Sequence, residues 1–222
     1  MTRRLVVRRL IVLTLACAGA LDVPRRVLFN SAAAAAPMSP SHTPPPPPLT
    51  PLVRTPANPS AVDGREYRYV QLASGMKVVV ASDARAKDAS LALAVGAGQL
   101  REPFEGLSHL TEHLVMATSG LERIAASYDG VANAYTAFDR TVYVASCFPS
   151  RVLRLLTDMR GAVAPAAANS FDPVTAAKEA RRVDAELREA PSGAALELEL
   201  LRDRCVGPLA AFGPGSKKTL LP

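Results

Sequence analysis

Five consecutive prolines at 44–48, inside a stretch from Pro37 to Pro59 with few large apolar residues, set the first limit on what this chain can fold into. Proline has a fixed φ and no backbone N–H, so such a run favours polyproline II and supplies neither helix nor ladder. It cannot bury a core and reads as a spacer, with docking into an aromatic-lined groove as the lesser alternative. Residues 22–64 are therefore an Ala/Pro-rich linker, and the part able to form a domain is 65–222. Residues 1–21 read as a targeting segment. Arg3, Arg4, Arg8 and Arg9 precede an apolar run opening at Leu10–Leu15, and Ala18-Gly19-Ala20 is a small-x-small cleavage site. A secretory signal peptide fits, with a secretory or extracellular destination. Arg25, Arg26, Asn30-Ser31 and the alanines to Ala36 prolong an Arg-rich, acid-poor stretch, so a mitochondrial or plastid transit sequence is the alternative. The apolar run is about a dozen residues, too short to span a bilayer, and no transmembrane helix is expected.

The net charge of +6 invites a nucleic-acid reading, and its distribution removes that reading. Residues 1–60 hold seven arginines and a single acid, Asp22, so the whole excess lies in the leader and linker. The remaining basic and acidic side chains balance, which leaves the domain without a basic face for nucleic acid.

The chemistry-bearing stretch is His109-Leu110-Thr111-Glu112-His113. Of the three histidines in the chain, His42 lies in the proline-rich part and the other two are both here. On a helix, His109 and His113 project from one face, one turn apart. Two imidazoles so placed can bind one zinc ion, and Glu112 on the adjoining stripe can reach a water bound to it. Zinc lowers the pKa of such a water to about 7, and a neighbouring carboxylate can accept its proton and pass it on. The order His-x-x-Glu-His is the inverted form of the commoner zinc-peptidase helix. The bland alternative is a surface or capped histidine pair. A catalytic zinc site usually has three protein ligands, so a Cys, Asp, Glu or His must come from elsewhere. A second helical stretch, opened by Asp172 as N-cap and Pro173 at the first position, carries Glu179, Val183 and Glu186 on one face. Taken alone, that helix is more economically read as a solvated face, with Arg182 and Glu186 paired at i,i+4.

With these motifs in order, the chain resembles the pitrilysin/insulinase family of zinc endopeptidases, the inverzincins that include the mitochondrial processing peptidases. The pattern Phe171-Asp172, Glu179, Val183-Asp184-Ala185-Glu186 is similar to the family's glutamate-bearing helix. The resemblance implies Glu186 as third zinc ligand beside His109 and His113, Glu179 as the carboxylate that orients a ligand from behind, and Glu112 as catalytic base. Glu186 lies 73 residues after His113, slightly short for the family. Ala132-Asn133-Ala134-Tyr135-Thr136 resembles the family's Asn-Ala-x-Thr strand, which implies that Ala132, Asn133 and Ala134 receive the peptide substrate as an added strand. The likeness covers roughly 65–220, with Gln99 where the family commonly has Ser. It further implies a Zn2+-dependent metalloendopeptidase whose substrate is enclosed by a homologous second half. The chain stops at Pro222 after a Gly213-Pro214-Gly215 segment, so an incomplete N-terminal domain, or one needing a partner subunit, is expected. The rival readings are a non-catalytic homologue acting as a binding subunit, and a secreted Pro-rich interaction module on a peptidase-like scaffold.

Pattern fixes the remaining expectations. Tyr67–Leu72 and Met76–Ala81 read as a hairpin around Ser74-Gly75, and Ser90–Val95 as a third strand. Leu121–Tyr128 reads as a short helix with Gly130 as C-cap. Val131–Thr136 and Thr141–Cys147 are strands, and a helix opened by Pro149-Ser150 buries Val152, Leu155, Leu156 and Met159 on one face. Ala194–Arg204 reads as a last helix. The expected fold class is α+β, a mixed or antiparallel sheet with helices packed on one face. Cys147 and Cys205 lack metal-site spacing and read as two buried thiols, with one disulfide in an oxidising compartment as the alternative.

Overall fold

The computed structural model describes residues 14–17, 64–72, 75–168, 171–189 and 213–221. Strands β2 (Glu66–Gln71) and β3 (Lys77–Ser82) form an antiparallel hairpin, registered from Glu66 opposite Ser82 to Gln71 opposite Lys77. Gly75 turns the chain at φ 82°, a left-handed conformation that costs glycine little. Strand β4 (Ala89–Val95) pairs along its full length with β6 (Thr141–Cys147), and β5 (Ala132–Thr136) pairs with the other edge of β6. Strand β1 (Thr14–Cys17) lies parallel to β4 and antiparallel to β3, which gives the sheet order β2-β3-β1-β4-β6-β5. Residues 14–17 belong to the stretch read as a targeting segment. Their backbone is that of a strand.

The helices take one face of this mixed sheet, as the α+β reading implies. Leu91 of β4 and Tyr143, Ala145 and Cys147 of β6 alternate along their strands and so share a face. Against that face pack Val115 of α1 (Leu107–Ser119), Leu121 and Ala125 of α2 (Leu121–Ala126), and Val152, Leu155, Met159 and Val163 of α3 (Val152–Ala168). A short 3-10 turn at Pro149–Arg151 delivers the chain into α3. A second core joins α1 to α4 (Pro173–Glu189). Leu110 and Leu114 meet Ala176, Ala180 and Val183, with Leu220 of α5 (Lys217–Leu220) inserted beside them. The small alanines at 176 and 180 let the two helix axes approach closely, because interaxial distance follows side-chain size at the contact. This close approach sets the reach of every glutamate on α4.

The second short helix ends differently from its sequence reading. It stops at Ala126, and the left-handed residue beyond it is Asp129 at φ 56°, not Gly130. Gly130 is required for space, since a Cβ there would lie 1.7 Å from the Ser146 carbonyl oxygen. Its N–H donates to Ala125 O at 3.0 Å, so it still closes the helix end. The spacer, the 194–204 helix and Cys205 lie outside the described residues; Cys147 is a buried free thiol. Among the described residues, no helix is long and apolar enough to cross a membrane.

Candidate metal centre

Helix α1 starts where Glu102 folds forward over it. The two Glu102 carboxylate oxygens accept from Gly106 N–H at 2.6 Å and Ser108 N–H at 2.8 Å, meeting donors that a helix start leaves open. Gly106 is left-handed at φ 85°, and a Cβ on it would lie 2.3 Å from Gly215 Cα. The segment 213–216 therefore crosses the helix start backbone against backbone. Two anchors hold that segment: Ser216 and Thr219 form a capping box at α5, and Lys217 N–H donates to Asp184 of α4 at 2.9 Å.

This packing brings three of the expected residues together. His109 Nε2 and His113 Nε2 each lie 3.4 Å from the same oxygen, Glu186 Oε2. The imidazoles are set edge to face, 4.8 Å between centroids and 77° apart. A separation of 3.4 Å is too long for a direct N–H···O bond, whose usual length is about 2.9–3.0 Å. For these two N···O pairs it matches the spacing of zinc ligands, which at about 2.0–2.1 Å in a tetrahedral arrangement stand roughly 3.3–3.4 Å apart. Among the described residues, His109, His113 and Glu186 are the group of His, Cys, Asp or Glu side chains arranged to hold a metal ion, with donor atoms within 4.8 Å of one another. Two imidazole nitrogens and one carboxylate oxygen are a donor set suited to zinc.

The far side of each ring faces a protein oxygen. His109 Nδ1 lies 2.9 Å from the Pro214 carbonyl, which can only accept, so Nδ1 carries a proton and Nε2 is the nitrogen turned to Glu186. His113 Nδ1 faces Glu179 Oε2 at 3.5 Å. Glu179 is almost fully buried, and Arg182 Nη1 reaches both of its oxygens at 3.0 and 3.1 Å. The i,i+4 pair expected between Arg182 and Glu186 is replaced by this i,i+3 pair. Arg182 turns to the buried charge that needs it, leaving Glu186 free to face the histidines.

Glu112 is buried beside the group, and Thr136 Oγ1 donates to its Oε2 at 2.6 Å. Thr136 Oγ1 in turn lies 3.4 Å from Thr141 Oγ1, whose hydroxyl donates to Ala97 O at 2.9 Å. Residues 132–134 lie on β5, the last strand of the sheet; Asn133 and Ala134 line the same cleft, and Ala132 does not. The Ala134 N–H donates to the Asn133 side chain at 2.9 Å. The cleft has a volume of about 800 Å³ and is lined by His109, Glu112, His113, Asn133, Ala134 and Glu186, with Gln99 and Arg182 at its wall. Sequence reasoning missed two contacts. Thr136 sat within a recognised motif without a role, and the Pro214 carbonyl is a backbone group 105 residues from His109 that no side-chain pattern announces.

An α+β sheet that presents an inverted His-x-x-Glu-His helix, with a carboxylate from a later helix facing both rings, is the arrangement that the resemblance to zinc peptidases implied. The comparisons with known proteins agree. The family model described as "Insulinase (Peptidase family M16)" matches residues 77–203, more than half of the chain, and the chain belongs to that family. Human insulin-degrading enzyme is 34% identical over 93 residues, covering 38% of this chain and 9% of the enzyme. Protease 3 of Escherichia coli is 27% identical over 164 residues, covering 70% of this chain and 16% of its own length. The crystal structure of pitrilysin superposes with a TM-score of 0.61 at 25% identity, over 76% of this chain and 19% of that one. The chain thus spans less than a fifth of the length of each of these relatives.

Proposed function

We propose that this domain is a zinc-dependent endopeptidase unit in which His109, His113 and Glu186 hold the ion and Glu112 carries the proton. The observation that supports this most is the convergence of both Nε2 atoms on one Glu186 oxygen, with His109 Nδ1 hydrogen-bonded and His113 Nδ1 facing a carboxylate on the far side. A zinc ion held there would polarise the scissile carbonyl and bring the pKa of a water molecule down to about 7. Glu112, buried and fixed by Thr136, takes the proton released by that nucleophile and returns it to the leaving amine. Strand β5 receives the peptide as an added strand, through the main chain of Ala132, Asn133 and Ala134, so affinity depends little on substrate sequence. For the Ala134 N–H to serve, the Asn133 side chain that now accepts it must rotate away. Glu179 faces His113 from behind. A homologous second half, in another chain or beyond this one, would close the cleft over the peptide.

The test is cleavage of a quenched peptide by zinc-loaded protein, alone and with a separately expressed second half of a pitrilysin-type enzyme. Wild type cleaves in at least one condition, and Glu112→Gln keeps its zinc and does not cleave. Zinc binding without cleavage in either condition points instead to a binding subunit.

A further inference from the structure

The contacts of Glu179 are unequal. His113 Nδ1 stands 3.5 Å from Glu179 Oε2, beyond hydrogen-bond length, whereas Arg182 Nη1 straddles both oxygens at 3.0 and 3.1 Å. The Glu179 side chain is 2% exposed and Arg182 is 57% exposed. A charge from the solvent side of the cleft therefore reaches in to satisfy a buried carboxylate that would otherwise lean on the imidazole. A carboxylate bonded to the far nitrogen of a metal-binding histidine makes that ring a stronger donor, and altering such a partner typically changes metal affinity by about ten- to a hundredfold.

We propose that Arg182 is a positioning residue that sets metal affinity, by holding the Glu179 carboxylate off His113 Nδ1 and so moderating the donor strength of that ring. The inference rests on the reading of His109, His113 and Glu186 as a zinc site. With the Arg182 guanidinium gone, His113 is the partner left to Glu179 among the described residues. The carboxylate closes on Nδ1–H, and the Nε2 lone pair binds a cation more strongly. Substitution of a residue that merely supports the fold would loosen the metal or leave it unchanged, so the sign of the effect is diagnostic.

The experiment is a double-mutant cycle on the full chain, with the zinc dissociation constant read by competition against a chromophoric chelator. Arg182→Met binds zinc about tenfold more tightly than wild type, within the range such partners exert. Arg182→Lys, which can still place an ammonium across both oxygens, stays within about twofold of wild type. In a Glu179→Gln background the same Met substitution changes affinity by less than about twofold, because no carboxylate remains to release. Unchanged or weaker binding by Arg182→Met overturns the proposal. So does equal tightening in both backgrounds, which would mean that the arginine merely repels the cation through space. Failure of wild type itself to bind zinc would remove the underlying site, an outcome distinct from all of these.

Discussion

The hydroxyl of Thr136 on β5 donates to the carboxylate of Glu112 on α1 at 2.6 Å, joining the strand proposed to receive substrate to the group proposed to move the proton. Thr136 is held on β5 opposite Thr141 of β6, whose own hydroxyl donates to Ala97 O, so the sheet itself aims the carboxylate. Hydrogen bonds to charged groups contribute about 1.5–3 kcal/mol. Thr136→Val should lower kcat of peptide cleavage by roughly ten- to a hundredfold with zinc content unchanged. Steady-state kinetics with metal analysis of the same sample checks this, and a variant with wild-type kcat would show that Glu112 is aimed by other means.

The Pro214 carbonyl reaches His109 because Gly215, at φ 91°, packs its backbone on Gly106. A Cβ on Gly215 would meet Gly106 Cα at 2.7 Å and Leu220 Cδ1 at 2.9 Å. Gly215→Ala should therefore displace the carbonyl, free the ring of His109 and weaken zinc binding by about tenfold or more. Zinc titration gives the affinity, and circular dichroism establishes that the variant is folded.

Gly130 has no room for any side chain, its virtual Cβ lying 1.7 Å from the Ser146 carbonyl oxygen. Gly130→Ala must push α2 and β6 apart where Leu121, Ala125 and Cys147 share one core. A loss of about 2–3 kcal/mol, in the range of overpacked cores, is expected in urea unfolding. A change below about 0.5 kcal/mol would mean that the turn relaxes freely.

Asp172 caps α4 through Val174 N–H at 2.9 Å and Thr175 N–H at 3.2 Å. Hydrogen bonds from Thr175, side chain first, and from Val174 hold its carboxyl below the usual carboxylate range. A depressed native pKa contributes stability that is present above the unfolded value, about 4, and is lost as pH falls through the native one. Asp172→Ala should thus melt below wild type at pH 7, with the gap closing as pH falls below about 4. Thermal melts across that range test it; a gap that stays constant with pH would exclude the ionised cap.

Much of this fold was legible because its signals are local. The β6 limits follow from turn residues at Phe138-Asp139-Arg140 and from Pro149, and the α4 start from Asp172-Pro173. The candidate centre was legible in part. His109 and His113 share a helix face by period alone, whereas Glu186 faces them only because Ala176 and Ala180 let α4 approach α1. That is a tertiary fact, so spacing alone left Glu186 on a solvated face, and resemblance to a family supplied its role. The Arg182 partner was misassigned for a related reason. Counting i,i+4 on a helix cannot tell which of two glutamates is buried, and burial decides which one draws the guanidinium. Strand β1 escaped notice because an apolar run of signal-peptide character carries no alternation to mark it as a strand.

The most direct test of the account is zinc stoichiometry of the purified full chain after equilibrium dialysis, beside His113→Ala and Glu186→Ala. The account predicts about one zinc per wild-type chain, with binding in each variant weakened by at least about a hundredfold, as loss of a structural ligand entails. Wild-type protein that takes up no zinc, or a Glu186→Ala variant that holds it as tightly as wild type, would contradict it.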